Sequence, residues 1–305
     1  MNRKEFISGA AATAAVGVLP RTAQALSDPE TFLDEWQRDT DLVHPEQYEA
    51  YFKTGLNPDG LVSLNKLERG FERILKELDE VTVGDVPAIW LVYNMGVIVK
   101  TRQSLFSIDL VHRRALELAP RLDFALISHN HSDHYRPEFY QAMNKAGKTV
   151  INNFIDNYGA ADWRKGGKYW ENGGYTREVR VFKIKDVEIR TTLTDHNPYL
   201  VDYTTAFEIR VGGKWLMLHS GDCSNVAKLN PIWGRPDLWI QMPGCGIDNV
   251  AGEVKIRPKL TAFGHLTELS HGPGRVTAEF VRPRISAVRA AGGKVVLPLW
   301  GERIV

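Results

Sequence analysis

Cysteine is scarce in this chain. Only Cys223 and Cys245 occur among the 305 residues, and they do not form a CxxC pair. A zinc site built from paired thiolates is therefore excluded. The two residues can still form one disulfide if the strands that precede them are neighbours, or stay two thiols, or place Cys223 on a metal ion. The sequence leaves these three alternatives open.

An excess of charge of one sign is also lacking. The 38 basic and 37 acidic side chains give a formal net charge of +1, and the basic residues form no stripe. A nucleic-acid partner is not expected, because such proteins concentrate lysine and arginine on one face. We expect a small-molecule substrate instead. The sequence does not indicate an oligomeric state.

Long hydrophobic runs are absent beyond the N-terminus, so no stable membrane insertion is expected. Residues 1–25 have the layout of an export signal, in which Arg3 and Lys4 precede an apolar segment and an AQA tripeptide. Lys4 stands where a twin-arginine signal has its second arginine, which leaves the twin-arginine and general secretory routes both open. We predict a mature protein that begins at Leu26, in a bacterial periplasm or outside the cell.

The rest of the chain divides into a helical extension over residues 26–80 and a strand-rich part over 81–305. Apolar residues in the extension recur at spacings of three and four, which predicts an amphipathic helix. They are Leu64, Leu67, Phe71, Ile74, Leu75 and Leu78. From Val81 onward, short apolar runs alternate with glycine and polar turns. This pattern favours two packed sheets with helices outside over one doubly wound sheet.

The sequence HNHSDH directly follows the apolar run FALIS of a predicted buried strand. Side chains two residues apart lie on the same side of a strand, so His129 and His131 can face one metal ion. Asp133 and His134 come on the following turn and can face a second ion. Imidazole and carboxylate groups are suitable ligands for zinc, iron or manganese. The cluster therefore predicts a metal site.

These four residues match the HxHxDH signature of the metallo-β-lactamase superfamily, which the chain resembles from Val81 to its C-terminus. The resemblance implies an α+β fold, the four-layer αββα sandwich, with the metal ions at one edge between the two sheets. A catalytic domain of this fold would then occupy residues 81–305. The sequence motif SHNHSDH is most similar to that of the branch of ascorbate-phosphate lactonases and phospholipase-D-like phosphodiesterases.

The resemblance also implies three further ligands, each in a loop after a strand. His196 in TDHNP is expected as the third histidine of the first site, and Asp222 in HSGDCS as the bridging aspartate. The last ligand is His265 or His271. His265 is favoured because it directly follows the apolar run LTAFG, and His271 then lies beside the site or contacts substrate. Glu268 is expected to orient either imidazole.

Such a centre implies two divalent metal ions, with zinc expected and manganese or iron as alternatives. A hydroxide shared by the two ions would attack a carbonyl carbon or a phosphorus, and Asp133 would orient it and handle its proton. The implied function is a secreted hydrolase that cleaves an ester-type bond, such as a lactone or a phosphodiester, in a small molecule. Two alternatives stay open: a single-iron oxidoreductase on the same fold, and an exported non-catalytic binding protein.

Other residues near these loops have less specific roles. His219 lies within a predicted strand and is expected in the core or beside the ligands. Segment 152–175 is rich in aromatics and glycines, and is expected to form either a pocket wall or a surface loop. Arg275 either meets an anionic group or is solvated. Three residues are candidates for the acid that protonates the leaving group, namely Tyr135, Tyr199 and His271.

Overall fold

The computed structural model describes residues 29–152, 179–266, 268–272 and 276–305. The predicted export signal, nearly all of segment 152–175 and Arg275 lie outside these ranges. The described helices are α1 (Pro29–Asp41), α2 (Pro45–Thr54), α3 (Val62–Glu80), α4 (Pro137–Lys145), α5 (Asn249–Ile256) and α6 (Ala278–Ala290). None of the helices in these ranges is long and apolar enough to cross a membrane.

The described strands fall into two groups along the chain. Strands before residue 152 are β1 (Ala88–Tyr93), β2 (Gly96–Lys100), β3 (Leu105–Ile108), β4 (Phe124–Leu126) and β5 (Thr149–Ile151). Strands after residue 178 are β6 (Val181–Ile184), β7 (Val187–Thr194), β8 (Thr204–Val211), β9 (Trp215–His219), β10 (Leu238–Gln241), β11 (Thr261–Phe263) and β12 (Val295–Val296). Each group builds its own sheet.

Both sheets are mixed. The first has the strand order β1-β2-β3-β4-β5, antiparallel up to β3 and parallel from there. The second has the order β12-β11-β10-β9-β8-β7-β6, antiparallel from β6 to β9 and parallel from β9 to β12. Val97 and Phe106 of the first sheet share one buried cluster with Ile209 and Met217 of the second. The two sheets therefore enclose a common apolar core.

Helices cover the outer faces of both sheets. α3 packs on β1, and five of the six residues of its predicted stripe are buried while Leu75 is partly buried. α4 packs on β4 and β5. On the second sheet, α6 places Val281 and Ile285 against Phe263, and α5 places Ile256 against Trp239. The predicted four-layer αββα sandwich is therefore confirmed.

The β8–β9 hairpin turns at the glycine pair that the sequence indicated. Val211 pairs with Trp215 across the turn, and Gly212 and Gly213 have φ values of 58° and 72°. Only glycine adopts two successive left-handed conformations without a steric penalty, which explains the pair at this position. The hairpin leads into β9, which ends three residues before Asp222.

Candidate metal centre

Four loops bring the predicted ligands together at one edge of the sandwich. His129 to His134 follow β4 of the first sheet, and His196, Asp222 and His265 follow β7, β9 and β11 of the second. The motif after β4 is folded into a turn, because the backbone N–H groups of His134 and Tyr135 both donate to the carbonyl of His131, at 3.0 and 2.8 Å. This turn separates the two halves of the motif, as the sequence predicted.

Four groups of three possible ligands occur among the described residues. Two of them contain Asp222, one with His129 and His134 and one with His196 and Cys245, and the other two do not. Ligand atoms of His129, His131 and His196 lie within 4.8 Å of one another. A second group consists of Asp133, His134 and His265, whose ligand atoms are equally close. These are the two sets that the resemblance implied for two metal ions.

Asp222 lies between the two groups and faces both. Its Oδ2 atom is 3.9 Å from His129 Nε2 and 3.5 Å from His196 Nε2, on the side of the first group. Its Oδ1 atom is 3.3 Å from His134 Nε2, and Oδ2 is 3.5 Å from His265 Nε2, on the side of the second. One carboxylate therefore faces histidines of both groups, as a bridging ligand must.

Buried polar atoms without hydrogen-bond partners converge on this position. In the described part of the chain they include His129 Nε2, His134 Nε2, His196 Nε2, Asp133 Oδ1 and Asp222 Oδ1. Leaving so many buried groups without hydrogen bonds is energetically unfavourable, which indicates that they bind a common ligand. Nitrogen and carboxylate oxygen donors suit zinc, manganese or iron. The residues present therefore fit a pair of divalent cations.

Burial and charge set the protonation states of these side chains, and they act differently on different histidines. Burial lowers the pKa of His129 well below its usual range and that of His131 to about 4. Burial would raise the pKa of Asp133 and Asp222, but the charge of His134 outweighs it and keeps both well below the usual range. Against the effect of burial, those two carboxylates raise the pKa of His134 well above its usual range, so a cation bound here displaces a proton.

No family model matches the chain, and no curated protein does. Several solved structures, in contrast, are similar to the chain. Igni18, a metallo hydrolase from Ignicoccus hospitalis, is 20% identical with a TM-score of 0.52, over 71% of this chain and 97% of that chain. YhfI from Bacillus subtilis, a metallo-β-lactamase fold protein, is 14% identical with a TM-score of 0.53, over 72% and 99%. The chain has the metallo-β-lactamase fold.

A third similar structure shows that the metallo-β-lactamase fold does not decide the reaction. CmlA, a diiron β-hydroxylase from Streptomyces venezuelae, is 15% identical with a TM-score of 0.52, over 82% of this chain and 60% of that chain. Structures similar to this chain thus include a hydrolase and a hydroxylase. The reaction has to be argued from the residues of the site.

Three buried residues that the sequence did not single out support the candidate ligands. Asp109, directly after β3, places Oδ2 2.9 Å from His134 Nδ1 and accepts hydrogen bonds from Ser128 N and Oγ at 2.7 and 2.6 Å. Ser128 Oγ in turn lies 2.9 Å from His129 Nδ1. Asn94, in the β1–β2 turn, donates from Nδ2 to Asp133 Oδ2 at 3.1 Å. These contacts orient the rings and the carboxylate toward the centre.

We expect Asp109→Asn to weaken metal binding by about 10- to 100-fold, because the amide removes the negative charge that orients His134 and supports its basicity. Titration of the metal-depleted protein with zinc measures the affinity. Asp186→Asn is the matched control, because Asp186 also accepts two side-chain hydrogen bonds, from Thr101 and Ser104 at 2.9 and 2.7 Å. Equal affinities in the two variants would contradict the role given to Asp109.

The loop that carries His196 is tied to the loop that carries Asp222. Asp195 Oδ2 accepts a hydrogen bond from Asn225 Nδ2 at 2.9 Å, and Lys228 forms an ion pair with Asp195. Against the effect of burial, the hydrogen bond from Lys228 holds the pKa of Asp195 below its usual range. This network fixes the distance between the two ligand loops.

Of the two histidines predicted as alternatives for the last ligand, His265 lies in the cluster and His271 does not. His265 Nε2 lies 2.9 Å from Asp133 Oδ2, inside the cluster, whereas His271 lies outside it and contacts Glu268 at 2.9 Å. Glu268 therefore orients His271 and not His265. His219 is fully buried, with Nε2 2.8 Å from the carbonyl of Met95, which is the core position expected for it.

The two cysteines are free thiols, so no disulfide joins them. Cys223 Sγ donates to the carbonyl of Asn225 at 3.4 Å and belongs to none of the groups that could hold a metal. Burial raises its pKa to about 11. Cys245 Sγ lies 4.0 Å from His196 Nδ1, a proximity that the spacing of the sequence did not indicate.

Proposed function

We propose that the protein is a dinuclear metal-dependent hydrolase that cleaves an ester-type bond, such as a lactone or a phosphodiester, in a small molecule. The observation that carries this proposal is the position of Asp222, whose oxygens face the histidines of both groups at 3.3 to 3.9 Å. A single-metal site has no use for a carboxylate placed between two complete sets of ligands.

The seven residues divide into two sets with one shared member. His129, His131 and His196 would hold the first ion, Asp133, His134 and His265 the second, and Asp222 both. We propose zinc, with manganese and iron as alternatives that use the same donors. When bound, two such ions lower the pKa of a water molecule toward neutrality and stabilise negative charge on the substrate oxygen.

Asp133 is the residue of this set with a second task. Its Oδ2 atom is occupied by the hydrogen bond from Asn94, while its Oδ1 atom is buried and has no hydrogen-bond partner in the described part of the chain. Oδ1 can therefore orient the attacking water and accept its proton. The low pKa of Asp133 keeps that oxygen ionised before the reaction.

A substrate panel tests the proposed function. The protein is depleted of metal, reconstituted with zinc, manganese or iron, and assayed on esters, lactones, β-lactams, thioesters and phosphodiesters. We expect hydrolysis of at least one class, two bound ions per chain, and no turnover after chelation. Absence of stoichiometric metal in the natively produced protein would contradict the proposal.

The same experiment separates the alternatives. One bound iron with oxygen consumption and no hydrolysis would indicate an oxidoreductase. Ligand binding that survives His196→Ala, without turnover in the original protein, would indicate a binding protein. Preference for the substrates of the lactonase and phosphodiesterase branch, and export to the periplasm or the medium, stay predictions from the sequence.

A further inference from the structure

A buried carboxylate holds an imidazole beside the proposed metal centre. Glu268 has no exposed surface, and its Oε2 atom lies 2.9 Å from His271 Nδ1 and accepts the backbone N–H of His271 at 2.7 Å. Its Oε1 atom accepts a hydrogen bond from the hydroxyl of Tyr93 at 2.9 Å. A buried charge is tolerated only when it is paired and hydrogen-bonded, and here the pairing fixes the direction of the ring.

The helical extension stabilises this arrangement through a contact between α2 and Tyr93. The Tyr93 hydroxyl also accepts the backbone N–H of Leu269 at 2.7 Å, so one tyrosine holds both the carboxylate and the loop. Tyr48 of α2 stacks on Tyr93 with ring centroids 5.5 Å apart and an interplanar angle of 22°. Glu268 therefore has little freedom to turn away from His271.

His271 is placed between the cluster and the solvent. Its ring centroid is 6.3 Å from that of His265, and 48% of its side chain is exposed. Because Nδ1 is taken by Glu268, Nε2 is the atom that can exchange a proton with a bound molecule. The other two candidates for this task are less suitable, because Tyr135 is buried and Tyr199 is 94% exposed.

We propose that His271 is the general acid that protonates the leaving group, and that Glu268 is its positioning residue. This inference rests on the proposed hydrolase function. As the bond between the acyl carbon or phosphorus and the leaving oxygen breaks, its electron pair stays on that oxygen, which takes the proton from His271 Nε2. Asp133 passes the proton of the attacking water to the solvent, and the solvent reprotonates His271, so the reaction is a balanced hydrolysis.

A purely structural role for this pair is the competing explanation, because Glu268 also accepts hydrogen bonds from the backbone and hydroxyl of Ser270. The two roles differ in how they depend on the leaving group. A general acid matters for an alkoxide, which is a poor leaving group, and hardly for a nitrophenolate, which leaves without a proton. Loss of loop structure affects both substrates alike.

The test uses two esters that share an acyl or phosphoryl part and differ in an alkyl or a nitrophenyl leaving group. We expect His271→Ala to lower kcat/KM for the alkyl ester by about 100-fold or more, and for the nitrophenyl ester by less than about tenfold. Glu268→Gln is expected to give a smaller loss with the same selectivity. Metal content and melting temperature are measured for each variant. His44→Gln, at the exposed histidine that precedes α2, is the matched control.

Equal losses on both esters, or no loss on either, would overturn the role of His271. Restoration of alkyl-ester hydrolysis in His271→Ala by added imidazole would support it. If His271→Ala loses metal, His271→Gln is compared in its place, and a parallel loss of metal and of both activities also overturns the proposal. If the hydrolase proposal itself is wrong, the result is different, because the unsubstituted protein would then be inactive on both esters.

Discussion

Asp222→Asn is expected to lower the proposed hydrolytic activity by on the order of a thousandfold or more, since stabilisation by bound metal is worth several kcal/mol of the barrier. The substitution keeps the shape of the side chain and removes its charge. Asp222 is the one described residue whose oxygens face histidines of both groups, so neither ion keeps a complete set of ligands. We therefore expect both the metal content and the activity to fall.

The measurement combines bound metal per chain with kcat/KM on whichever substrate the panel identifies. Asp85→Asn is the matched control, because the Asp85 side chain is 67% exposed and pairs only with Arg102 among the described residues, at 3.3 Å. Full activity in Asp222→Asn would show that the two groups act independently. Loss of activity with two ions still bound would instead assign Asp222 a role in the chemical step.

The candidate ligand positions could be predicted because each lies in a loop that follows an apolar run. Local patterns report burial and chain direction, so the strands before His129, Asp222 and His265 were visible, and so was the edge at which they end. The choice between His265 and His271 also followed from this rule. The local pattern does not show which residues far apart in the sequence are in contact in the fold.

The supporting contacts were missed for that reason. Asp109 lies 25 residues before His134, and Tyr93 lies 175 residues before Glu268, so no spacing connects the partners. Asp109 does stand at the end of a predicted strand, as the ligands do, and that signal could have identified it. Cys245 follows a predicted strand in the same way, but nothing in the sequence indicated that it lies close to His196.

Some elements were missed although signals were present. Helix α2 begins at Pro45 and ends before Gly55, which has a φ of 74°, and these are ordinary start and stop residues of a helix. Helix α5 has an N-cap, Asp248, whose side chain accepts the backbone N–H of Ala251. Strand β6 was missed because it is an edge strand whose inward residues, Phe182 and Ile184, are only partly buried.

The packing of α3 against the strand-rich part of the chain gives the second large effect. A Cβ atom on Gly70 would lie 2.6 Å from the carbonyl oxygen of Trp300, 2.7 Å from its carbonyl carbon and 3.0 Å from Gly301 N. These are backbone atoms, which cannot turn aside as a side chain can. Gly70 is thus the point at which the helix and the C-terminal segment are in direct backbone contact.

Gly70→Ala is therefore expected to lower the free energy of unfolding by about 1 to 3 kcal/mol, the usual range for overpacking a close contact. The direction of the change distinguishes the two effects. Alanine in place of glycine within a helix normally stabilises it by about 1 kcal/mol, so a loss of stability would indicate the close contact. Urea unfolding measures the change. Gly84→Ala is the control, since no heavy atom lies within 4 Å of a Cβ built there. A Gly70→Ala protein as stable as the control would mean that α3 can move away from Trp300.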